Sequence, residues 1–160
     1  MHIEIDNRQK TCRICLAAVR QVVAALAAKG AGCRGASPWL ELTVILTDDA
    51  GMASWNQRVM RHVGSTDVIT QRYEPMPGEP PGVRGELLVN VERAWQVGGG
   101  RRGWSVDQEL ALYIAHGCDH LNDAEDVTPA GRRQMRQREL RWLRPLDIPR
   151  LIASSLSPRE

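Results

Sequence analysis

The chain has 160 residues, 42% of them hydrophobic, and a formal net charge of +2 whose positive side is almost entirely arginine. A chain of this length is expected to form one packed core. The planar guanidinium of arginine binds phosphate well, so the composition allows a nucleic-acid partner but does not require one. The longest apolar run, residues 19–28, is too short to cross a bilayer and no leader segment opens the chain, so we expect a cytoplasmic protein without a membrane partner.

Strands and helices alternate along the first part of the chain. His2–Asp6 alternates polar and apolar residues, which predicts a half-buried first strand. Thr11 is placed to cap a helix that runs from Cys12 to about Lys29. Trp39–Leu46 is rich in branched residues and is apolar on both faces near its end, which favours a central strand.

The next segments predict a short helix, two strands and a long loop. Thr47–Asp49 begins a helix whose apolar side includes Val59 and Met60. After it we expect a strand over Gly64–Thr70, a proline-rich loop over Gln71–Arg84, a strand over Gly85–Val91 and a short helix over Glu92–Val97. The loop is expected to border a cleft.

A pair of histidines stands on the most clearly marked helix. Ser105 and Gln108 form a capping box at its start, and the apolar spacing extends it to about Leu121. His116 and His120 therefore lie one turn apart, and both imidazoles can reach one ion. Two of four histidines also fall at this spacing by chance, so the pair alone is weak support for a metal site.

A carboxylate beyond the helix strengthens the metal interpretation. Asp126 supplies a third ligand if the chain reverses at Asn122-Asp123, residue types that tolerate the left-handed conformation. Two histidines and a carboxylate suit zinc with one open position, and also iron or manganese. Gly117 stands where a zinc peptidase carries its general-base glutamate, which disfavours peptidase chemistry, and its small size allows a ligand or another helix to approach closely.

The C-terminal part predicts one more helix and a tail. Thr128-Pro129 begins a helix that runs to about Leu143. Prolines and serines from Pro145 onward predict a loose tail, so we expect one domain over residues 1–144 and a C-terminal tail over 145–160. A solvated face is favoured over a phosphate-binding one for the arginines of this region, which are Arg132, Arg133, Arg136, Arg138, Arg141 and Arg144.

The four cysteines predict no zinc framework. Cys12, Cys15, Cys33 and Cys118 include only one closely spaced pair, so free structural thiols are favoured. Cys118 points away from the histidine side of its helix and is expected in the core.

Three stretches together resemble the YbeY family of endoribonucleases. The family motif H-G-x-L-H-L-x-G-Y-D-H is matched at His116-Gly117 and His120-Leu121, with Asp126 in place of the last histidine. Asn56 is followed ten residues later by Thr66-Asp67-Val68-Ile69-Thr70, where the family has T-D-V-L-S-F. A glycine-acid-apolar strand comes next, as in the family, and the order and approximate spacing of the three stretches are kept.

The resemblance implies an α+β fold, with a small mixed β-sheet of about four strands, helices packed on it and a zincin-like metal-binding helix. It implies one zinc or other divalent ion per chain, held by His116, His120 and Asp126, and no organic cofactor. It also implies metal-dependent hydrolysis of phosphodiester bonds in single-stranded RNA during ribosomal RNA maturation, with ribosomal RNA or the ribosome as partner. A cleft is expected between the metal helix and segment 66–84.

The resemblance also suggests catalytic residues. Met60 occupies the position of the family's functional arginine, so we expect Arg61 to take that role, with Arg58 as the alternative. Asp119 or Glu125 is expected to act on water as a base or to orient a ligand, although a surface or capping role fits each equally well.

Asn56, Thr66 and Asp67 are expected to contact substrate or to brace the cleft, while Asp67 alternatively satisfies loop amides. Two other functions stay open. One is a ribosome- or RNA-associated protein that keeps the fold with reduced or no catalysis, and the other is a zinc hydrolase of peptides or small molecules. A positive groove beside the histidines favours RNA, and a closed neutral pocket favours a small substrate.

Overall fold

A computed structural model describes residues 1–31, 38–100 and 102–155, so Cys33 and the last five residues of the expected tail lie outside the described part. The elements in chain order are β1 (His2–Asn7), β2 (Cys12–Ile14), α1 (Leu16–Ala31), β3 (Trp39–Thr47), α2 (Asp49–Trp55) with a π-helical turn (Asn56–Met60), β4 (Val68–Tyr73), β5 (Val83–Asn90), α3 (Val91–Gly98), α4 (Val106–Leu121), α5 (Pro129–Leu143) and β6 (Ile152–Ser155).

The predicted α+β class and four-stranded mixed sheet are confirmed. The strand order is β1-β3-β5-β4, with β1, β3 and β5 parallel and β4 antiparallel to β5. Leu42 of β3 pairs with Ile3 of β1 on one side and Gly85 of β5 on the other. This interior position of β3 confirms the prediction of a central strand.

Both faces of the sheet are covered, which explains why β3 and β5 are apolar on both sides. Leu42 and Leu87 lie on the face that packs against α1 and α4, in the main core. Ile45 and Leu88 lie on the opposite face, where Met52 of α2 is fully buried against them.

The α4 helix runs through the main core and carries the candidate site. Its predicted capping box is confirmed, since the Ser105 hydroxyl accepts a hydrogen bond from the Gln108 amide and the Gln108 side chain accepts one from Ser105. A Cβ placed on Gly117 would lie 2.7 Å from Cδ2 of Leu87. The close approach expected at Gly117 is therefore made by strand β5, so the sheet holds α4 at the level of the histidines.

The two ends of the described chain differ from prediction. The helix expected from Cys12 begins instead at Leu16, because Cys12–Ile14 forms β2 and pairs antiparallel with β6. The loose tail expected from Pro145 is wrong for Leu151 and Ile152, which are buried and whose amides both donate to Asp107 at 2.8 Å. Each short strand is completed by a partner far along the chain, which no local pattern reveals.

Boundaries in the middle of the chain also move. The expected strand Gly64–Thr70 begins later and runs to Tyr73, so part of the expected proline-rich loop is strand. Val59 and Met60, expected on a buried helix face, are 44% and 47% exposed, because α2 ends in a wider π-helical turn that rotates them outward. Among the described residues, no helix is long and apolar enough to cross a membrane.

Replacing Leu151 with alanine should lower the free energy of unfolding by about 2–4 kcal/mol, because its side chain is fully buried in the main core. Leu16→Ala is the matched control, since Leu16 is 41% exposed and should cost less than about 1 kcal/mol. Urea denaturation of both variants measures the difference. Equal small losses would show that the segment after α5 does not pack as described.

Candidate metal centre

The side of α4 that faces a cleft brings the three predicted ligands together. The Nε2 atoms of His116 and His120 lie 3.1 Å apart, and their rings meet edge to face at 4.4 Å. Oδ2 of Asp126 lies 3.9 Å from each Nε2. Among the described residues, this is the one group of histidine, cysteine or acidic side chains arranged to hold a metal ion.

The donor set fits a divalent cation. Four ligands around tetrahedral zinc, each roughly 2.0–2.1 Å from the ion, lie roughly 3.3 Å from one another. The observed separations of 3.1, 3.9 and 3.9 Å bracket that value. The three side chains are 20%, 25% and 41% exposed, which leaves the side toward the cleft open for a further ligand.

The turn after α4 places Asp126, and its predicted geometry is confirmed. Asn122 caps the helix, and Asp123 takes the left-handed conformation with φ of 63°. The Asn122 side-chain amide donates to the carbonyl of Cys118 at 2.6 Å, and Ala124 donates its amide to the carbonyl of Asp119. The chain therefore folds back at once, which carries Asp126 to the histidines.

Hydrogen bonds at Nδ1 fix the orientation of both rings. Nδ1 of His116 lies 2.6 Å from Oε1 of Glu139, and Nδ1 of His120 lies 3.0 Å from the carbonyl oxygen of Ala124. When each Nδ1–H donates to its oxygen, each Nε2 keeps a lone pair facing Asp126. This tautomer, with its proton on Nδ1, is the one in which Nε2 can bind a metal.

Glu139 belongs to the site but is not among the residues predicted from the sequence. This acid is 1% exposed and occupies the buried stripe of α5 together with Met135 and Trp142. A carboxylate at helical spacing within an otherwise apolar stripe is the pattern that could have revealed it, since buried acids require partners.

The surroundings of His116 are negative. Burial of the ring lowers the pKa of His116, but the hydrogen bond and charge of Glu139, together with the charges of Asp67 and Asp126, outweigh that effect and raise the pKa above its usual value. The same negative charges favour a metal cation at this place.

A cavity of about 550 Å³ opens in front of the ligands. Its lining combines two of the three candidate ligands with other acids and with residues of α5: Asp67, His116, Asp126, Arg132, Arg133, Arg136, Gln137 and Glu139. Segment 66–84 was expected to form the second wall of the cleft, but Asp67 is its one residue in the lining. Residues of α5 form that wall instead. Part of the arginine face of α5 therefore borders the cleft, and Arg132, Arg133 and Arg136 are exposed there, as the favoured solvated face predicts.

Asp119 lies away from the cleft. Its side chain is 3% exposed, and its two oxygens accept hydrogen bonds from Arg138 at 2.7–3.0 Å. Cys118 next to it is buried, as predicted, and burial raises the pKa of its thiol to about 12. This part of α4 is bound into the core and does not face the substrate side.

Met60 occupies the position of the family's functional arginine, and the two arginines proposed to replace that arginine do not line the cavity. Arg61 is exposed, with φ of 56°, at the end of the π-helical turn. Arg58 lies over the ring of Trp55, 5.4 Å from its centre. Glu125, the other candidate base, is exposed beside Asp126.

The remaining predicted residues lie in the loop before β4 or bind to it. Asn56 is buried and donates its side-chain amide to the carbonyl of Gly64 at 2.9 Å. Oδ1 of Asp67 accepts hydrogen bonds from the Thr66 hydroxyl and from the Val68 amide, at 3.0 and 2.9 Å. Asp67 therefore satisfies a loop amide and lines the cavity as well, so both of its predicted roles are compatible with the structure.

Known proteins match this chain over most of its length. The family model described as Endoribonuclease YbeY matches residues 4–147. The Endoribonuclease YbeY of Rhodopirellula baltica is 32% identical over 135 residues, covering 84% of this chain and 68% of that protein. The Endoribonuclease YbeY of Nautilia profundicola is 31% identical over 109 residues, covering 68% of this chain and 74% of that protein.

A solved structure shares the fold. The solution structure of TM1509 from Thermotoga maritima aligns with a TM-score of 0.54 at 17% identity, and the alignment covers 89% of this chain and 90% of that one.

Proposed function

The chain belongs to the YbeY endoribonuclease family, and we propose that it is a metal-dependent endoribonuclease that hydrolyses phosphodiester bonds of single-stranded RNA. The observation that carries this proposal is the meeting of two features in one cavity. His116 and Asp126, two of the three candidate metal ligands, lie on one side of it, and arginines of α5 lie on the other. A metal site next to cationic side chains is an arrangement that supports phosphodiester hydrolysis.

His116, His120 and Asp126 would hold zinc or another divalent ion. A metal ion in that position supplies Lewis acidity toward a phosphate oxygen and lowers the pKa of water. Glu139 and the Ala124 carbonyl keep the two imidazoles oriented while the substrate binds. Zinc is our choice among the metals, because the donor atoms and their separations suit it.

Other side chains of the cavity would bind the RNA. Arginines of α5 contact phosphate oxygens and stabilise the charge that develops on phosphorus. The Asp67 carboxylate, on the wall next to His116, accepts a hydrogen bond from a ribose hydroxyl, a group that distinguishes RNA from DNA. Asn56 and Thr66 brace the loop that presents Asp67.

The positions of the Asp119 and Glu125 carboxylates decide which of the two we propose as general base. Of the two acids, Glu125 is our candidate, because it is next to the third ligand and its side chain is exposed, although it does not line the cavity. We assign Asp119 a positioning role instead, because both of its oxygens bind Arg138. We assign no catalytic role to Arg61, because Arg132, Arg133 and Arg136 line the cavity and it does not.

We further propose ribosomal RNA or the ribosome as the partner, maturation of ribosomal RNA as the process and the cytoplasm as the location. The resemblance described above implies this process. The buried, unpaired thiols of Cys12 and Cys118 fit a reducing compartment.

Purified protein should cleave a labelled single-stranded RNA, lose that activity after chelation and recover it when zinc is restored. Parallel additions of manganese and magnesium compare the metals, and a double-stranded RNA of the same sequence tests the preference for single strands. Cleavage that persists unchanged after the metal has been removed would contradict the proposed function.

A further inference from the structure

Glu139 is a buried acid whose two carboxylate oxygens have different neighbours. Oε1 lies 2.6 Å from Nδ1 of His116, as described above. Oε2 is also buried, yet it makes no hydrogen bond in the described structure. The guanidinium of Arg136, one helical turn earlier on α5, places Nη1 3.5 Å from that oxygen. One carboxylate therefore lies between a metal ligand and an arginine.

The geometry of this contact leaves Arg136 available to a ligand. A distance of 3.5 Å is too long for a good hydrogen bond, so the contact is an ion pair between a buried carboxylate and a half-exposed guanidinium. The Arg136 side chain is 48% exposed and lines the cavity in front of His116 and Asp126. Its guanidinium has five N–H donors, so most of them remain free to face the cleft.

Other arginines near the cleft are anchored differently. Arg132 donates to the backbone carbonyls of Asp126 and Val127, at 3.0 and 3.4 Å. Arg138 binds Asp119 in the core. Among the described contacts of the arginines that line the cavity, Arg136 is the one paired with Glu139, the acid that orients the candidate metal ligand His116.

We propose that Glu139 couples the metal centre to substrate binding: one of its oxygens orients His116, and the other positions Arg136 to bind a phosphate group of the RNA. The inference rests on the proposed function, because it takes RNA as the ligand of the cavity. It makes Arg136 a substrate-binding residue and Glu139 a positioning residue. Without Glu139, the long side chain of Arg136 would sample many rotamers and would lose more conformational entropy when it binds a phosphate.

The test measures binding of a short fluorescein-labelled oligouridylate to the full chain by fluorescence anisotropy, both as purified and after chelation so that turnover does not contribute. Arg136→Gln should weaken binding by roughly five- to ten-fold, and the dependence of log affinity on log salt should fall by about 0.7, the value for one phosphate contact on a single strand. Arg141→Gln is the matched control, because Arg141 is an exposed arginine of the same helix that does not line the cavity. It should change binding by less than about two-fold.

Coupling is measured by repeating Arg136→Gln in a Glu139→Gln background, where the loss should shrink to less than about two-fold. Glu139→Gln should also weaken zinc binding by roughly 10- to 100-fold, whereas Arg136→Gln should leave zinc content unchanged. Circular dichroism verifies folding. If Glu139→Gln does not fold, Glu139→Asp replaces it, because the shorter side chain keeps the negative charge but places it farther from His116 and Arg136.

Two results would overturn the inference while leaving the proposed function intact. One is an equal loss of RNA affinity in Arg136→Gln and Arg141→Gln. The other is an Arg136→Gln effect of the same size in both backgrounds. Failure of the wild-type protein to bind the RNA at all would instead contradict the proposed function, and the inference with it.

Discussion

Replacing His116 with alanine should reduce metal-dependent RNA cleavage by more than about a hundred-fold, because loss of a residue that only supports a metal ligand already costs roughly 10- to 100-fold. His116 contributes one of three donor atoms, and the remaining pair, His120 and Asp126, cannot enclose an ion from more than two directions. Cleavage of a labelled single-stranded RNA, with excess zinc present, measures the effect.

The chain offers a matched control for this experiment. His62 is an exposed histidine after the π-helical turn and is not among the residues that line the cavity, so His62→Ala should cleave RNA at the wild-type rate. Full cleavage by His116→Ala would remove the metal centre from the mechanism. An equal loss in both histidine variants would show that the effect does not come from the site.

Replacing Asp119 with alanine should lower the free energy of unfolding by about 3–5 kcal/mol, the usual result when one partner of a buried ion pair is removed. Asp119 is 3% exposed and binds Arg138 through two oxygens, with Arg138 itself 22% exposed. The substitution removes the carboxylate whose two oxygens bind the half-buried Arg138 guanidinium. Urea denaturation monitored by circular dichroism measures the loss.

Asp6→Ala provides the control for this prediction, because the Asp6–Arg8 pair lies at the surface, with side chains that are 40% and 53% exposed. Surface pairs contribute about 0–1 kcal/mol, so this variant should unfold close to wild type. If Asp119→Ala is as stable as Asp6→Ala but does not cleave RNA, Asp119 acts in the chemistry and the positioning role assigned to it is wrong.

Local patterns in the sequence predicted the part of the site that lies close together along the chain. The capping box at Ser105 begins α4 and sets the phase of the helix, and the four-residue spacing brings His116 and His120 to one side. The left-handed Asp123 then reverses the chain within a few residues. Each of these features depends on neighbours within about one helical turn, so a single sequence contains the information.

The second wall of the cavity depends on contacts between distant residues. Glu139 meets His116 across 23 residues, and Arg138 meets Asp119 across 19. The charges of α5 predicted its solvated face, but not that the face borders the cavity, because the packing angle of α5 against α4 cannot be read from helical spacing alone. The strand pair β2 and β6 was missed for the same reason, since Cys12 and Ser155 meet from opposite ends of the described chain.

Metal content of the wild-type chain is the most direct test of the central claim, that His116, His120 and Asp126 form a metal centre. Elemental analysis of protein purified without chelators should find about one zinc or other divalent ion per chain, as a three-ligand site predicts. Asp126→Ala and His120→Ala, purified in the same way, should contain almost none. A wild-type protein without metal, or variants that retain as much metal as the wild type, would contradict the account.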